Sequence, residues 1–211
     1  MVYVKICGIT DWADAKLAVA AGADALGFNF YKGSPRRISL SNAREIIRHL
    51  PRRVAAVGVF VNATEKETLR IARAANLSAL QLHGEESPKA VERLAQQYPV
   101  IKAFRVGPQF RARELGKYRS AAAFLLDGFD PVHPGGTGKT FPWRIVREAK
   151  RFGPVILAGG LRTENVAEAI REAGPFAIDV CSGVEARPGK KDARKVKALM
   201  TAVDRTRREM R

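Results

Sequence analysis

Cysteine is scarce in this chain. Only Cys7 and Cys181 occur among 211 residues, too few for a disulfide framework, and no CxxC or Cys/His spacing of a metal site is present. The three histidines, His49, His83 and His133, stand far apart and form no ligand pair, so no metal is expected. No apolar stretch approaches the roughly 18 to 20 residues of a membrane helix. The N-terminus also lacks a basic segment followed by an apolar core and a cleavage site. Neither a membrane partner nor secretion is therefore expected, and cytoplasmic residence is the default. Acidic residues are in deficit: 37 Lys and Arg against 21 Asp and Glu leave a net charge of +16. The basic residues are dispersed, with local density at Arg36-Arg37, Arg52-Arg53, Lys190-Lys191 and Arg205 to Arg211. Dispersion of this kind fits a solvated surface and an anionic small-molecule substrate better than a nucleic-acid partner.

What is present is regular. Apolar residues make up 46% of the chain, enough to bury a core in one large domain, 1–211. β-Branched apolar runs alternate with amphipathic stretches from end to end. The runs predict strands at Val2–Cys7, Ala25–Phe30, Ala55–Val61, Ala79–His83, Val100–Val106, Ala122–Asp127, Val155–Gly159 and Ala177–Val180. Helices are expected near Trp12–Ala21, Ser41–Leu50, Glu65–Ala75, Pro88–Gln97, Phe110–Lys117, Pro142–Arg151, Glu164–Ala173 and Ala193–Arg208. Thr64 with Glu67 reads as a capping box, and Pro88 after Ser87 suits a first helical turn. Eight strand–helix units in a chain of this length predict a single-domain α/β fold, a (β/α)8 TIM barrel. A doubly wound open sheet is the alternative, but the Gly-rich fingerprint after its first strand is missing.

In a barrel the C-terminal strand ends converge on one pocket. Here those ends carry Cys7, Phe30 with Arg36 beyond it, Asn62, His83, Arg105, Asp127, Gly159-Gly160, and Asp179 leading to Ser182-Gly183. The opposite ends offer mostly Val, Ala and Pro. Reactive groups gathered at one rim point to an enzyme. The glycine pairs after the seventh and eighth strands stand where barrels build a phosphate site from backbone N–H groups. The segment Gly135 to Thr140 resembles a P-loop superficially, lacks its spacing, and reads better as a loop closing over the pocket.

The stretches Lys5-Ile6-Cys7-Gly8-Ile9-Thr10, Ser34-Pro35-Arg36, Gln81-Leu82-His83-Gly84, Leu125-Leu126-Asp127, Leu157-Ala158-Gly159-Gly160 and Ser182-Gly183-Val184-Glu185 together resemble phosphoribosylanthranilate isomerase of tryptophan biosynthesis. The likeness covers essentially the whole chain. It implies a cofactor-free barrel that performs an Amadori rearrangement of a phosphorylated aminosugar, as a monomer or homodimer. It assigns Asp127 as the general acid that opens the sugar ring and Cys7 as the base at the carbon beside the imine. It places Arg36 at the anthranilate carboxylate and Gly159, Gly160, Ser182 and Gly183 at the phosphate, with His83 and Asp179 lining the site.

A general acid that is a carboxyl group needs burial or a like-charged neighbour to stay protonated. A thiol base needs nearby positive charge. Lys5, two residues before Cys7 and so on the same strand face, is expected either to supply that charge or to pair with Asp179. Two departures from the family pattern stand out. Pro142 precedes Trp143 where Asp is more usual, and Cys181 stands where Ser is usual before Ser182. Strand eight adjoins strand one in a closed barrel, which would bring Cys181 toward Cys7 and allow reversible oxidation if the two are close. An aldolase-like lyase would instead need a Schiff-base lysine at a strand end, for which Lys102 is the candidate. An isomerase that also takes the histidine-pathway aminosugar usually has Asp at the position of Cys7.

Overall fold

Eight parallel strands close into a barrel in the computed structural model, which describes residues 2–128 and 141–210. They are β1 (Tyr3–Cys7), β2 (Ala25–Asn29), β3 (Ala55–Phe60), β4 (Ala79–Leu82), β5 (Val100–Val106), β6 (Ala123–Gly128), β7 (Val155–Leu157) and β8 (Ala177–Val180). Neighbours pair in chain order, and β8 returns to β1 with the register Tyr3↔Ala177 to Ile6↔Val180. That last pairing excludes the open sheet, which would leave two edge strands unpaired.

The connections carry α1 (Trp12–Ala20), α2 (Leu40–Ile47), α3 (Glu65–Ala75), α4 (Pro88–Ala95), α5 (Arg144–Ala149), α6 (Val166–Ala173) and α7 (Ala193–Glu209). Their starts follow local chemistry. Thr64 Oγ1 accepts the Glu67 N–H at 3.2 Å, and Ser87 Oγ accepts that of Ala90 with Pro88 in the first turn. Ser39 caps α2, so this helix begins and ends earlier than the sequence suggested.

The helix expected around Phe110–Lys117 is a 3-10 segment, Ala112–Lys117. Gly116 inside it and Pro108 before it deny the stretch the length that a stable α-helix needs. The helix expected over Pro142–Arg151 is α5 followed by a 3-10 turn, Lys150–Phe152, tightened ahead of Gly153-Pro154. Strand β7 ends at Leu157, two residues early, because Gly159 and Gly160 leave the extended region at φ +83° and +63°. One element went unforeseen: an antiparallel hairpin of β9 (Glu185–Arg187) and β10 (Lys190–Lys191) after β8. The Gly135 to Thr140 segment, read as a closing loop, lies outside the described residues.

Two apolar layers sandwich the strands. Outward residues such as Val4, Ile6, Leu26, Phe28, Leu80, Phe124, Leu126 and Ile178 join the helices in the larger cluster. Each such burial stabilises by about 1.5–3 kcal/mol. A second cluster of Val57, Ile101, Ala103, Ala123, Leu125, Ile156, Ala158 and Ala177 fills the lumen. Both strand faces are buried, which explains the near-continuous apolar runs in the sequence.

Candidate active site

Along the lumen side of several strands, residues two apart change from apolar to polar toward the C-terminal rim. Strand β4 runs Ala79, Gln81 and on to His83; β6 runs Ala123, Leu125, Asp127; β8 runs Ala177, Asp179. The rim of the barrel is thus a ring of functional groups standing on an apolar plug. Above it lies a cavity of about 570 Å³ lined by Cys7, Arg36, Gln81, His83, Asp127, Gly159, Gly160, Asp179, Cys181 and Ser182 among others. Every site residue expected from sequence lines this cavity except Gly183. Phe30, Asn62 and Arg105, also read at strand ends, do not line it, and neither does Lys102.

Strand β1 contributes Lys5 and Cys7. Gly27 of β2 is the register partner of Cys7. A Cβ there would stand 2.6 Å from Cys7 Sγ and 3.1 Å from Lys5 Cε, so glycine makes the room in which both side chains sit. Lys5 Nζ donates to Asp179 Oδ2 at 2.8 Å with both side chains buried. Burial works against the ammonium, but Asp179 and Cys7 outweigh it and hold Lys5 above its usual range. Both alternatives posed for Lys5 are therefore realised together.

The Cys7 thiol is held well below its ordinary range. The main cause is the neighbouring Cys181 side chain; burial opposes it, and the Lys5 ammonium assists. Cys181 moves the other way, raised by Cys7 and by burial, while its thiol donates to Glu185 Oε1 at 3.8 Å. The two shift in opposite directions, Cys7 down and Cys181 up, and both are free cysteines. Burial lifts Asp179 to about 7; Lys5 pulls against this, and the nearby Cys7 and Asp127 add to it.

Asp127 is buried, and His83 Nε2 stands 3.4 Å from its Oδ2. Gln81 Nε2 lies 3.1 Å from His83 Nδ1. With the amide assigned in that direction, Gln81 donates to Nδ1 and the ring proton resides on Nε2, facing Asp127. Among the described residues, Thr68 Oγ1, Gln81 Oε1, His83 Nε2, Trp143 Nε1 and Asp179 Oδ1 are buried without a hydrogen-bond partner. Gln81, His83 and Asp179 line the cavity, where a polar ligand supplies what the protein withholds.

Part of the cavity wall presents unpaired backbone donors, a chemistry suited to an anion. The N–H groups of Gly159, Gly160, Ser182 and Gly183 find no acceptor among the described residues. The positive φ of Gly159 admits no ordinary side chain, and a Cβ there would meet Gly128 N at 2.3 Å. Ser182 opens the 3-10 segment Ser182–Val184, whose amino end adds its dipole. Gly183 lies behind this wall. A Cβ on it would fall 1.9 Å from Leu161 O, so the missing side chain is what lets the β7 and β8 loops touch.

Sequence reasoning missed the role of Glu185, noted only as part of a motif. It starts β9 and grips Arg36: Nε to Oε1 at 2.9 Å and Nη2 to Oε2 at 2.8 Å. Its position directly after Ser182-Gly183-Val184 was the available signal; the hairpin that buries it was not legible.

Comparison with known proteins agrees with this geometry. A family model described as N-(5'phosphoribosyl)anthranilate (PRA) isomerase matches residues 4–202. The N-(5'-phosphoribosyl)anthranilate isomerase of Trichlorobacter lovleyi is 50% identical over 201 residues, covering 95% of this chain and 97% of the relative. The crystal structure of phosphoribosyl anthranilate isomerase from Thermotoga maritima superposes with TM-score 0.91 at 43% identity, over 97% of this chain and 99% of that one. Another phosphoribosyl anthranilate isomerase, crystallised with reduced 1-(o-carboxyphenylamino)-1-deoxyribulose 5-phosphate, gives TM-score 0.86 at 41% identity, over 97% and 99% of the two chains.

Proposed function

The chain belongs to the N-(5'-phosphoribosyl)anthranilate isomerase family, and on that premise we propose that Cys7 and Asp127 carry its isomerisation as base and acid. The reaction converts N-(5-phospho-β-D-ribosyl)anthranilate to 1-(2-carboxyphenylamino)-1-deoxyribulose 5-phosphate, an aldose–ketose isomerisation in tryptophan biosynthesis. The observation that supports these roles is a thiolate-prone Cys7 and a buried Asp127 opening on one cavity whose other wall offers unpaired N–H groups.

The phosphate lies against Gly159, Gly160 and Ser182, whose amides meet its oxygens. Gly183 sets the spacing of the two loops and adds its own N–H. Anchoring at this end places the furanose over the rim. Asp127 donates its proton to the ring oxygen as the bond from C1 breaks, leaving a protonated imine between C1 and the anthranilate nitrogen. Cys7 then takes the proton from C2, and the electron pair moves toward the imine to give an enol-amine. Tautomerisation of the enol at C2 returns a proton to C1 and yields the ketone. The electrons balance within the substrate, so no external oxidant or reductant takes part. His83 orients Asp127, Arg36 binds the aryl carboxylate, and Asp179 Oδ1 accepts from a sugar hydroxyl. Every group named comes from one chain, so a monomer and a homodimer serve the chemistry equally.

The test is turnover of freshly generated phosphoribosylanthranilate, followed by the loss of its fluorescence, in wild type, Cys7→Ser and Asp127→Asn. Fast wild-type turnover with both variants folded and slowed by about 10²–10⁴-fold supports the pair. A Cys7→Ser enzyme at near wild-type rate removes the thiol from the mechanism.

A further inference from the structure

Glu185 is a buried carboxylate behind the cavity-lining Arg36 that the reaction does not use. Besides the three bonds from Arg36, its Oε1 accepts from Lys191 Nζ at 3.0 Å, the Gly189 N–H at 3.2 Å and the Cys181 thiol at 3.8 Å. Lys191 is itself fully enclosed and also donates to Cys181 O at 3.3 Å. These donors occupy the carboxylate from both sides, so it has little capacity left for a substrate group or a transferred proton. Its negative charge is committed to two cations.

The consequence falls on Arg36. A guanidinium is a rigid plane of five N–H donors. With Nε and one edge of Nη2 on Glu185, the plane is fixed, and Nη1 has no acceptor among the described residues. Arg36 lines the cavity, so the free edge of the fork is what remains for a ligand. We propose that Glu185 is a positioning residue that holds Arg36 with this free edge presented to an aromatic carboxylate, and so sets the enzyme's selectivity for a carboxylate-bearing aniline. The proposal rests on the reading that Arg36 receives the aryl carboxylate.

The hairpin explains why the clamp is stiff. Thr10 Oγ1 donates to Gly189 O at 2.6 Å, tying the turn between β9 and β10 to the loop after β1. Lys190 Nζ reaches Asp11 and Asp14 at 2.8 and 2.7 Å, and Lys191 N–H donates to Asp14 Oδ2 at 2.8 Å. Glu185 thus sits where the loops after β1, β2 and β8 are stitched together. Against Arg36 from the other side stands Gly8, where a Cβ would come within 2.9 Å of Arg36 Cδ. The arginine has one slot, with the carboxylate at its far end.

The experiment compares two ligands, reduced 1-(o-carboxyphenylamino)-1-deoxyribulose 5-phosphate and its phenylamino counterpart without the carboxylate. Dissociation constants are measured by calorimetry for wild type, Glu185→Gln, Glu185→Asp and Arg36→Ala, each checked for folding by circular dichroism. Wild type should prefer the carboxylate ligand by about 10- to 100-fold, the scale of a charge-assisted bond. Both Glu185 variants and Arg36→Ala should lose most of that preference while holding the carboxylate-free ligand about as well as wild type. Lost preference in Arg36→Ala with full preference in both Glu185 variants overturns the proposal and leaves the Arg36 reading intact. Full preference in Arg36→Ala overturns the Arg36 reading, and the proposal with it. Equal weakening of both ligands in the Glu185 variants shows a merely structural role and also overturns it. Glu185→Asp keeps the charge but shortens the reach, so the comparison survives if the Gln variant does not fold.

Discussion

Lys5 Nζ lies 2.8 Å from Asp179 Oδ2 in the barrel mouth, and the same ammonium helps hold Cys7 below its ordinary range. One cation therefore serves both the Cys7 thiol and the Asp179 carboxyl, and Asp127 stands close enough to raise Asp179 further. It cannot neutralise all of them. Lowering Cys7 to thiolate leaves Asp179 under-compensated, which is why burial and its neighbours lift that carboxyl to about 7. The arrangement favours a thiolate base beside a carboxyl that still carries a proton for part of the time at neutral pH.

Replacing Lys5 with Met should move the acid limb of the kcat/KM profile to higher pH. Without the cation, Cys7 needs a higher pH to lose its proton, and Asp179 rises too, so the active fraction at pH 7 falls. A displacement of about 1–2 pH units is the expected size for a close opposite charge. The profile of Lys5→Arg should lie nearer wild type if the smaller shift of charge is tolerated. An acid limb that stays in place in Lys5→Met would show that Lys5 serves Asp179 alone.

Gly183→Ala tests the wall of the anion site without touching the acid or the base. The added Cβ would press on Leu161 O and push the β8 loop off the β7 loop. The four N–H groups would then no longer converge. The expected result is a KM about 10-fold higher or more, the loss of one charge-assisted hydrogen bond, with the pH profile of kcat unmoved. Equal KM values in variant and wild type would place the phosphate elsewhere.

The barrel was legible because its strands are buried on both faces and read as uninterrupted apolar runs between capped helices. Cys7, Asp127 and Asp179 were legible for a related reason: a polar group at the end of such a run has nowhere to sit but the rim. What escaped depended on contacts between distant loops. The hairpin is only three and two residues long, too brief for any periodicity, and Glu185 owes its burial to it. Gly27 looked like an ordinary strand residue until the register set it opposite Cys7. Gly183 was grouped with the phosphate ligands by its neighbours, and the close approach its missing side chain allows to the Leu161 carbonyl was not legible from sequence. The helix before β6 was overread because propensity said nothing of how short the connection is.

Lys102 shows what the alternative chemistry would have required. Its Nζ is buried and donates to Gly84 O at 2.7 Å, Ala103 O at 3.0 Å, Glu86 Oε2 at 3.1 Å and Leu82 O at 3.2 Å. Burial holds its ammonium below the usual range, with Glu86 pulling against that shift. Every donor is engaged, away from the cavity, so borohydride in the presence of a phosphosugar should trap no Schiff base. Lys102→Met would leave Glu86 buried without its counter-charge and free the carbonyls on either side of His83. Breaking such a pair costs about 3–5 kcal/mol, read as a lower urea midpoint. A variant as stable as wild type would mean that Glu86 finds a substitute in its bonds from the Asn62 and Gly84 N–H groups.

Cys181 gives the last and most specific expectation, because it replaces the serine usual in the family. It is the main cause that holds Cys7 below its ordinary range, so Cys181→Ala should shift the acid limb of kcat/KM upward by about one pH unit. Cys181→Ser keeps a hydroxyl donor and should shift it less. Both cysteines are free, so the pair is a dithiol. Oxidised dithiothreitol, accepting two electrons as the two thiols lose two protons, should close a Cys7–Cys181 bond and remove the base from the reaction. Activity should fall, the mass should drop by about 2 Da, and reduced dithiothreitol should restore both. Bound reaction analogue should slow the loss by covering the thiols. Inactivation of Cys181→Ser at the wild-type rate would show that Cys7 reacts alone and that the second thiol only tunes it.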